Sequence, residues 1–190
     1  MKLPIYQIDA FAERAFEGNP AAVCPLSKWL PDEVMQSIAE ENNLSETAFF
    51  VPNENGFHIR WFTPVSEVDL CGHATLASAY VIFSIFGFEK NKINFESKSG
   101  LLKVEQKGEL LVMDFPSQPP TLCQTPGEII KAFKNNPVEC LRSEDYIIVF
   151  DSEDEIVAAK PDFNALLQLD LRGVVITAKS SKYDFVARFL

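Results

Sequence analysis

Between Ala74 and Phe86 the apolar residues circle the chain. Leu76, Ala77, Ala79, Tyr80, Val81, Ile82, Phe83, Ile85 and Phe86 fall on every side of a helix, with no polar stripe between them. A helix that is apolar all round has to be buried all round. It is too short to cross a bilayer, which takes about 20 apolar residues. The pattern therefore predicts a core helix wrapped by strands, opened by Cys71-Gly72-His73.

Around it the apolar spacing falls to a period of two or to short runs, the signals of strands. Strands are expected over residues 2–9, 21–24, 47–52, 57–62, 93–96, 101–106 and 110–115, the last two joined as a hairpin through Lys107-Gly108-Glu109. Phe16-Glu17-Gly18-Asn19-Pro20 reads as a turn, because Gly and Asn tolerate left-handed backbone and Pro fixes φ. Leu30-Pro31-Asp32-Glu33 opens an amphipathic helix whose buried face is Val34, Met35, Ile38 and Ala39.

Residues 116–126 hold four prolines and almost no apolar run, and are read as a linker. It divides a first domain (1–115) from a partial second one (127–190). In the latter, helices are expected at 127–134 and 162–168, and strands at 146–150, 155–159, 174–177 and 184–190. No second all-round apolar helix follows, and the last segment stops while still strand-like. The second domain is expected to be incomplete.

Composition narrows the class. The 190 residues are 47% hydrophobic and 23% charged, which fits a globular chain and not a disordered one. A net charge of −10 with no basic run argues against nucleic acid as a partner. No signal-type apolar stretch opens the chain and no stretch suits a membrane, so a cytoplasmic protein is expected. The four cysteines are widely spaced, no CxxC occurs and there are only two histidines. Free thiols and no metal site are therefore expected.

The residues that could carry chemistry cluster at two places. Glu46 stands before an apolar strand, either as a solvated strand-edge carboxylate or as a general base in an apolar pocket. His73 opens the core helix, either as a packed or capping residue or as a hydrogen-bond donor to substrate. The first backbone N–H groups of that helix have no partner within it, and the helix dipole adds positive charge there, so a substrate carboxylate or phosphate would suit. Cys71 is either inert filler or a thiol acidified by the helix start. Asp69 reads as a cap and Asn19 as a turn residue.

Three linked motifs carry a resemblance: Gly18-Asn19-Pro20-Ala21-Ala22-Val23, Leu44-Ser45-Glu46-Thr47-Ala48-Phe49, and Trp61-Phe62-Thr63-Pro64 followed by residues 67–77. In order and spacing they resemble the PhzF family of phenazine-biosynthesis-like isomerases, and Tyr183 to Phe189 resembles that family's second-domain strand. The resemblance implies an α+β fold of diaminopimelate epimerase type. In it, two similar domains each roll a sheet around a central helix, with the site in the cleft between them. It implies Glu46 as the acid/base that moves a proton on a small carboxylic acid, without cofactor or metal. His73, Gly72, Ala74 and Asn19 would then contact an anionic substrate, with Cys71 and Asp69 in secondary roles. A two-thiol racemase using Cys71 is the variant within the enzyme class. A homodimer is expected, or a second polypeptide supplying the absent segment. The alternative of another class is a truncated, catalytically inactive homologue acting as a binding or interaction protein.

Overall fold

The computed structural model describes residues 2–14 and 17–190. It divides into two compact units, one ending at Phe115 and the other beginning at Pro116.

The first unit holds one eight-stranded sheet. Its strands are β1 (Tyr6–Ala10), β2 (Asn19–Pro25), β3 (Glu46–Asn53), β4 (Gly56–Phe62), β5 (Glu67–Val68), β6 (Lys92–Ser97), β7 (Gly100–Lys107) and β8 (Leu110–Asp114). They run in the order β1-β2-β3-β4-β6-β7-β8, with β5 paired to β4. β2 and β3 pair in parallel, as do β4 and β6, while the other pairs are antiparallel. Helix α1 (Asp32–Asn42) connects β2 to β3, and α2 (Gly72–Tyr80) follows β5. The sheet is rolled: α2 touches both of its edge strands, β1 and β8, as well as β2 and β3.

This arrangement explains why β2 and β3 read as unbroken apolar runs. Strands covered on both faces need apolar residues at successive positions. On one face Ala21, Val23, Ala48, Phe50, Ile59 and Trp61 pack with Ala74, Ala77 and Val81. On the other, Cys24, Phe49 and Phe62 pack with Met35 and Ala39 of α1. α1 ends at Asn43, which takes left-handed backbone (φ 49°) and returns its N–H to the Ala39 carbonyl at 3.1 Å.

The core helix is buried less completely than its pattern predicts. Residues 77–79 and 81–83 are buried, but Tyr80 and residues 84–86 are exposed. The helix continues from α2 into a π-helical turn (Val81–Ile85) and emerges from the roll there. Its two buried hydroxyls, Thr75 and Ser78, are satisfied inside the helix by the carbonyls of Cys71 and Ala74.

The expected turn at 16–20 is only partly a turn. Phe16 lies outside the described residues, and Asn19 and Pro20 already belong to β2, facing Ala10 and Asp9 of β1. Gly18 makes the entry at φ 81° against the Ala10 carbonyl, too close for a side chain.

The second unit is a five-stranded sheet in the order β13-β12-β11-β10-β9. These are β9 (Thr121–Leu122), β10 (Glu139–Arg142), β11 (Tyr146–Val149), β12 (Val174–Lys179) and β13 (Phe185–Phe189), with helices α3 (Gly127–Phe133), α4 (Glu153–Ala158) and α5 (Phe163–Leu166). Residues 116–126 are thus not all linker, because Thr121 and Leu122 pair with Arg142 and Leu141. The strand expected at 155–159 is instead the body of helix α4, which ends at Ala158. Ser152 and Glu155 form a capping box, which turns three successive acids into a helix start. The core is Ile129, Tyr146, Ile148, Ile156, Val174 and Ile176.

Among the described residues, no helix is long and apolar enough to cross a membrane.

Candidate active site

Glu46 is the first residue of β3 and lies opposite Ala21 in the parallel ladder with β2. The next residue, Thr47, is fully buried and accepts a hydrogen bond from Asn42 Nδ2 at 3.1 Å, which ties the start of β3 to the end of α1. Cys71 caps the start of α2 in extended conformation and His73 lies in the first turn. The roll brings these two distant segments together. Glu46 Oε2 lies 3.2 Å from His73 Nε2, with the two side chains 20% and 11% exposed. Cys71 Sγ stands 3.5 Å from His73 Nδ1. Neither Glu46 Oε2 nor His73 Nε2, both buried, finds an aligned hydrogen-bond partner among the described residues. Buried polar atoms without partners cost about 1–3 kcal/mol each.

Two shifts set the charge states. Burial holds the His73 imidazole below its ordinary pKa of 6.5, opposed by the Glu46 carboxylate and by the Pro20 backbone. It is therefore neutral at pH 7. Burial, reinforced by Glu46, pushes the Cys71 thiol up to about 12, and the backbone of Ala74 and His73 only partly offsets this. Of the two sequence-based readings of Cys71, inert filler or a thiol acidified by the helix start, burial opposes the second. Desolvation and a neighbouring carboxylate outweigh the helix dipole, and Cys71 stays protonated at neutral pH.

Gly72 and Ala74 lie in the same first turn as His73. A Cβ added at Gly72 would meet no protein atom within 4 Å, so there is open space beside the helix start. Asn19 is next to Pro20, whose backbone His73 senses, and so belongs to this neighbourhood. Asp69 does not cap α2. Its side chain is 74% exposed and has Lys98 at 3.9 Å, while its backbone carbonyl accepts from Ser99. The sequence reading missed the Pro20 backbone as a partner of His73. Its only signal was the neighbouring Asn19 in the same motif.

A cavity of about 610 Å³ lies elsewhere, at the seam where β1 and β8 face each other across α2. Ile8, Leu76, Tyr80, Leu111 and Met113 line it, and none of Glu46, Cys71 or His73 does. It offers volume without the titratable cluster.

The model of the phenazine biosynthesis-like protein family, PhzC-PhzF, matches residues 8–190. The chain belongs to that family. Among PhzC-PhzF relatives, an uncharacterized isomerase of Pseudomonas aeruginosa is 50% identical over 189 residues, covering all of this chain and 73% of its own length. A PhzF-family crystal structure from Enterococcus faecalis superposes with a TM-score of 0.94 at 46% identity, covering all of this chain and 74% of that one. A hydroxyproline epimerase from Agrobacterium vitis, at 9% identity, shares the fold with a TM-score of 0.59 over 98% of this chain and 69% of its own. The α+β fold is thus the diaminopimelate epimerase-like one of PhzF proteins and epimerases.

Proposed function

We propose that this chain is an isomerase that moves a proton on a small carboxylic acid, with Glu46 as the acid/base and no cofactor. The observation that carries the reading is the Glu46–His73 pair at the start of α2, whose facing atoms Oε2 and Nε2 lie 3.2 Å apart, buried and without an aligned hydrogen-bond partner among the described residues. The isomerase name of the Pseudomonas relative supports the same class.

The division of labour follows from the charge states. The Glu46 carboxylate takes a proton from carbon and returns it at another carbon or on another face. Proton transfer by a positioned carboxylate contributes about 10²- to 10⁴-fold to rate. Neutral His73 adds no full charge beside Glu46, and its single N–H has the Pro20 carbonyl as a competing acceptor. The open space at Gly72, beside the positive end of the α2 dipole, suits the substrate carboxylate. Burial and the neighbouring Glu46 keep the Cys71 thiol protonated, which favours Glu46 over Cys71 as the base.

The test is solvent deuterium exchange into a panel of small chiral or allylic carboxylic acids, followed by NMR. Glu46→Gln is expected to lower the exchange rate about 10²- to 10⁴-fold with an unchanged circular dichroism spectrum. An unchanged exchange rate in that variant overturns the role of Glu46.

A further inference from the structure

Glu46, Cys71 and His73 each offer a metal-ligating atom, and the three atoms lie within 4.8 Å of one another. The Glu46 and His73 atoms that face each other are the orphaned ones, Oε2 and Nε2. A ligand that satisfies both at once relieves the cost of leaving them bare. Zinc accepts this mixed set, with bonds of about 2.3 Å to sulfur and about 2.0–2.2 Å to nitrogen and oxygen. In a tetrahedron those lengths separate the ligand atoms by about 3.3–3.6 Å. The Glu46–His73 separation of 3.2 Å is already close to that range. Cys71 Sγ contacts the other ring nitrogen, Nδ1, at 3.5 Å, and completing the set requires it to turn toward Nε2 about its Cα–Cβ bond. Three protein ligands with a fourth position left open is the pattern of an accessible zinc and not of a closed structural one.

We infer that Glu46, Cys71 and His73 form a binding site for one soft divalent cation such as Zn²⁺, and that its occupation blocks the isomerase site. The Cys71 thiol releases its proton to solvent as the Zn–S bond forms, and no redox change occurs. Glu46 commits an oxygen lone pair to the metal and no longer takes a proton from carbon. His73 Nε2 is likewise occupied. Mg²⁺ does not substitute, because it requires hard oxygen ligands in octahedral array. The binding claim stands on the three side chains alone, whereas the inhibition claim rests on the proposed isomerase reading.

Co²⁺ serves as the spectroscopic probe. Cys123 and Cys140 bring their sulfurs within 3.4 Å of each other and could compete for cobalt, so the titration is done in a Cys123→Ser background. The expected result is one Co²⁺ per chain with a thiolate-to-cobalt charge-transfer band. Zn²⁺ should displace it, Mg²⁺ should not, the band should be lost in Cys71→Ser, and affinity should fall at least tenfold in Glu46→Gln or His73→Gln. A missing band, or one that survives Cys71→Ser, overturns the site. Where deuterium exchange is measurable, Zn²⁺ should abolish it at one equivalent and a chelator should restore it. Full exchange with bound zinc overturns the inhibition. If exchange is absent even without metal, the isomerase reading and the inhibition fall together, while the cobalt titration still decides the binding site.

Discussion

The two units use similar strand chemistry in different surroundings. In the first, β2 and β3 carry four consecutive buried residues each, because α2 covers one face of the sheet and α1 the other. In the second, Tyr146-Ile147-Ile148-Val149 and Val174-Val175-Ile176 are equally apolar in sequence, yet burial alternates along them. Tyr146, Ile148, Val174 and Ile176 enter the core with Ile129 of α3 and Ile156 of α4, while Ile147, Val149 and Val175 are half-buried. The lesson is that an apolar run states how many faces a strand can bury, and the layers around it state how many it does. The chemistry follows the more deeply packed unit. A buried helix start and a strand entrance held against it create a desolvated pair in the first unit, and desolvation is what shifts His73 and Cys71.

The strongest challenge to this contrast is a matched pair of truncations. Phe50→Ala removes a side chain 1% exposed and should cost about 3–5 kcal/mol, read by urea denaturation with tryptophan fluorescence. Both tryptophans, Trp29 and Trp61, report on the first unit. Ile147→Ala should cost about 1–2 kcal/mol, read by amide exchange across β11, since half of the transfer and cavity terms is absent. An equal or larger cost at Ile147 would end the contrast.

A second comparison sets two glycines of the first unit against each other. Gly18 sits at φ 81° with the Ala10 carbonyl where a Cβ would go, so Gly18→Ala should cost about 1–3 kcal/mol. Gly72 has open space at that point, so Gly72→Ala should leave the thermal midpoint within a degree or two or raise it slightly. If substrate binds at the α2 start as proposed, the added methyl takes up part of that open space, and deuterium exchange should drop about tenfold or more. A stable Gly72→Ala with full exchange would move the substrate away from the α2 start.

The smallest effect concerns pH. The Arg60 guanidinium pairs with Glu67 through bonds of 2.7 and 2.8 Å and, with Lys98, holds its pKa down to about 2 against the opposing pull of burial. A carboxylate lowered by folding adds stability above its ordinary value of 4.5 and loses it as pH falls from there toward about 2. Glu67→Gln should therefore flatten the thermal midpoint between pH 5 and pH 2 relative to the parent. An identical acid limb would show that Arg60–Glu67 contributes nothing measurable.

Much of the first unit was legible from the chain alone. The α1 helix, β3, β4 and the β7–β8 hairpin follow from periodicity, Pro31, and Gly108 in a tight turn. The helix at 153–158 was not, because Ile156, Val157 and the two alanines suit a strand as well, and only the local Ser152–Glu155 capping box decides against one. β10 escaped because Glu139-Cys140-Leu141-Arg142 is too short and too polar to stand out, and acquires its identity from pairing with β11. Glu46 and His73 were picked out by the motifs that contain them, whereas Asp69, equally prominent there, is turned to solvent.

By itself the sequence determined the kinds of element, the apolar helix around which the first unit forms, and which ionisable residues sit beside apolar runs. These are local properties, set by side-chain spacing and backbone preference. The tertiary structure alone decided that Glu46 meets His73, that the Cys71 thiol keeps its proton, and that the second sheet covers only one face within its own unit. Each of these depends on distance and on exclusion of water, which segments 27 residues apart acquire only when the sheet has rolled around its helix.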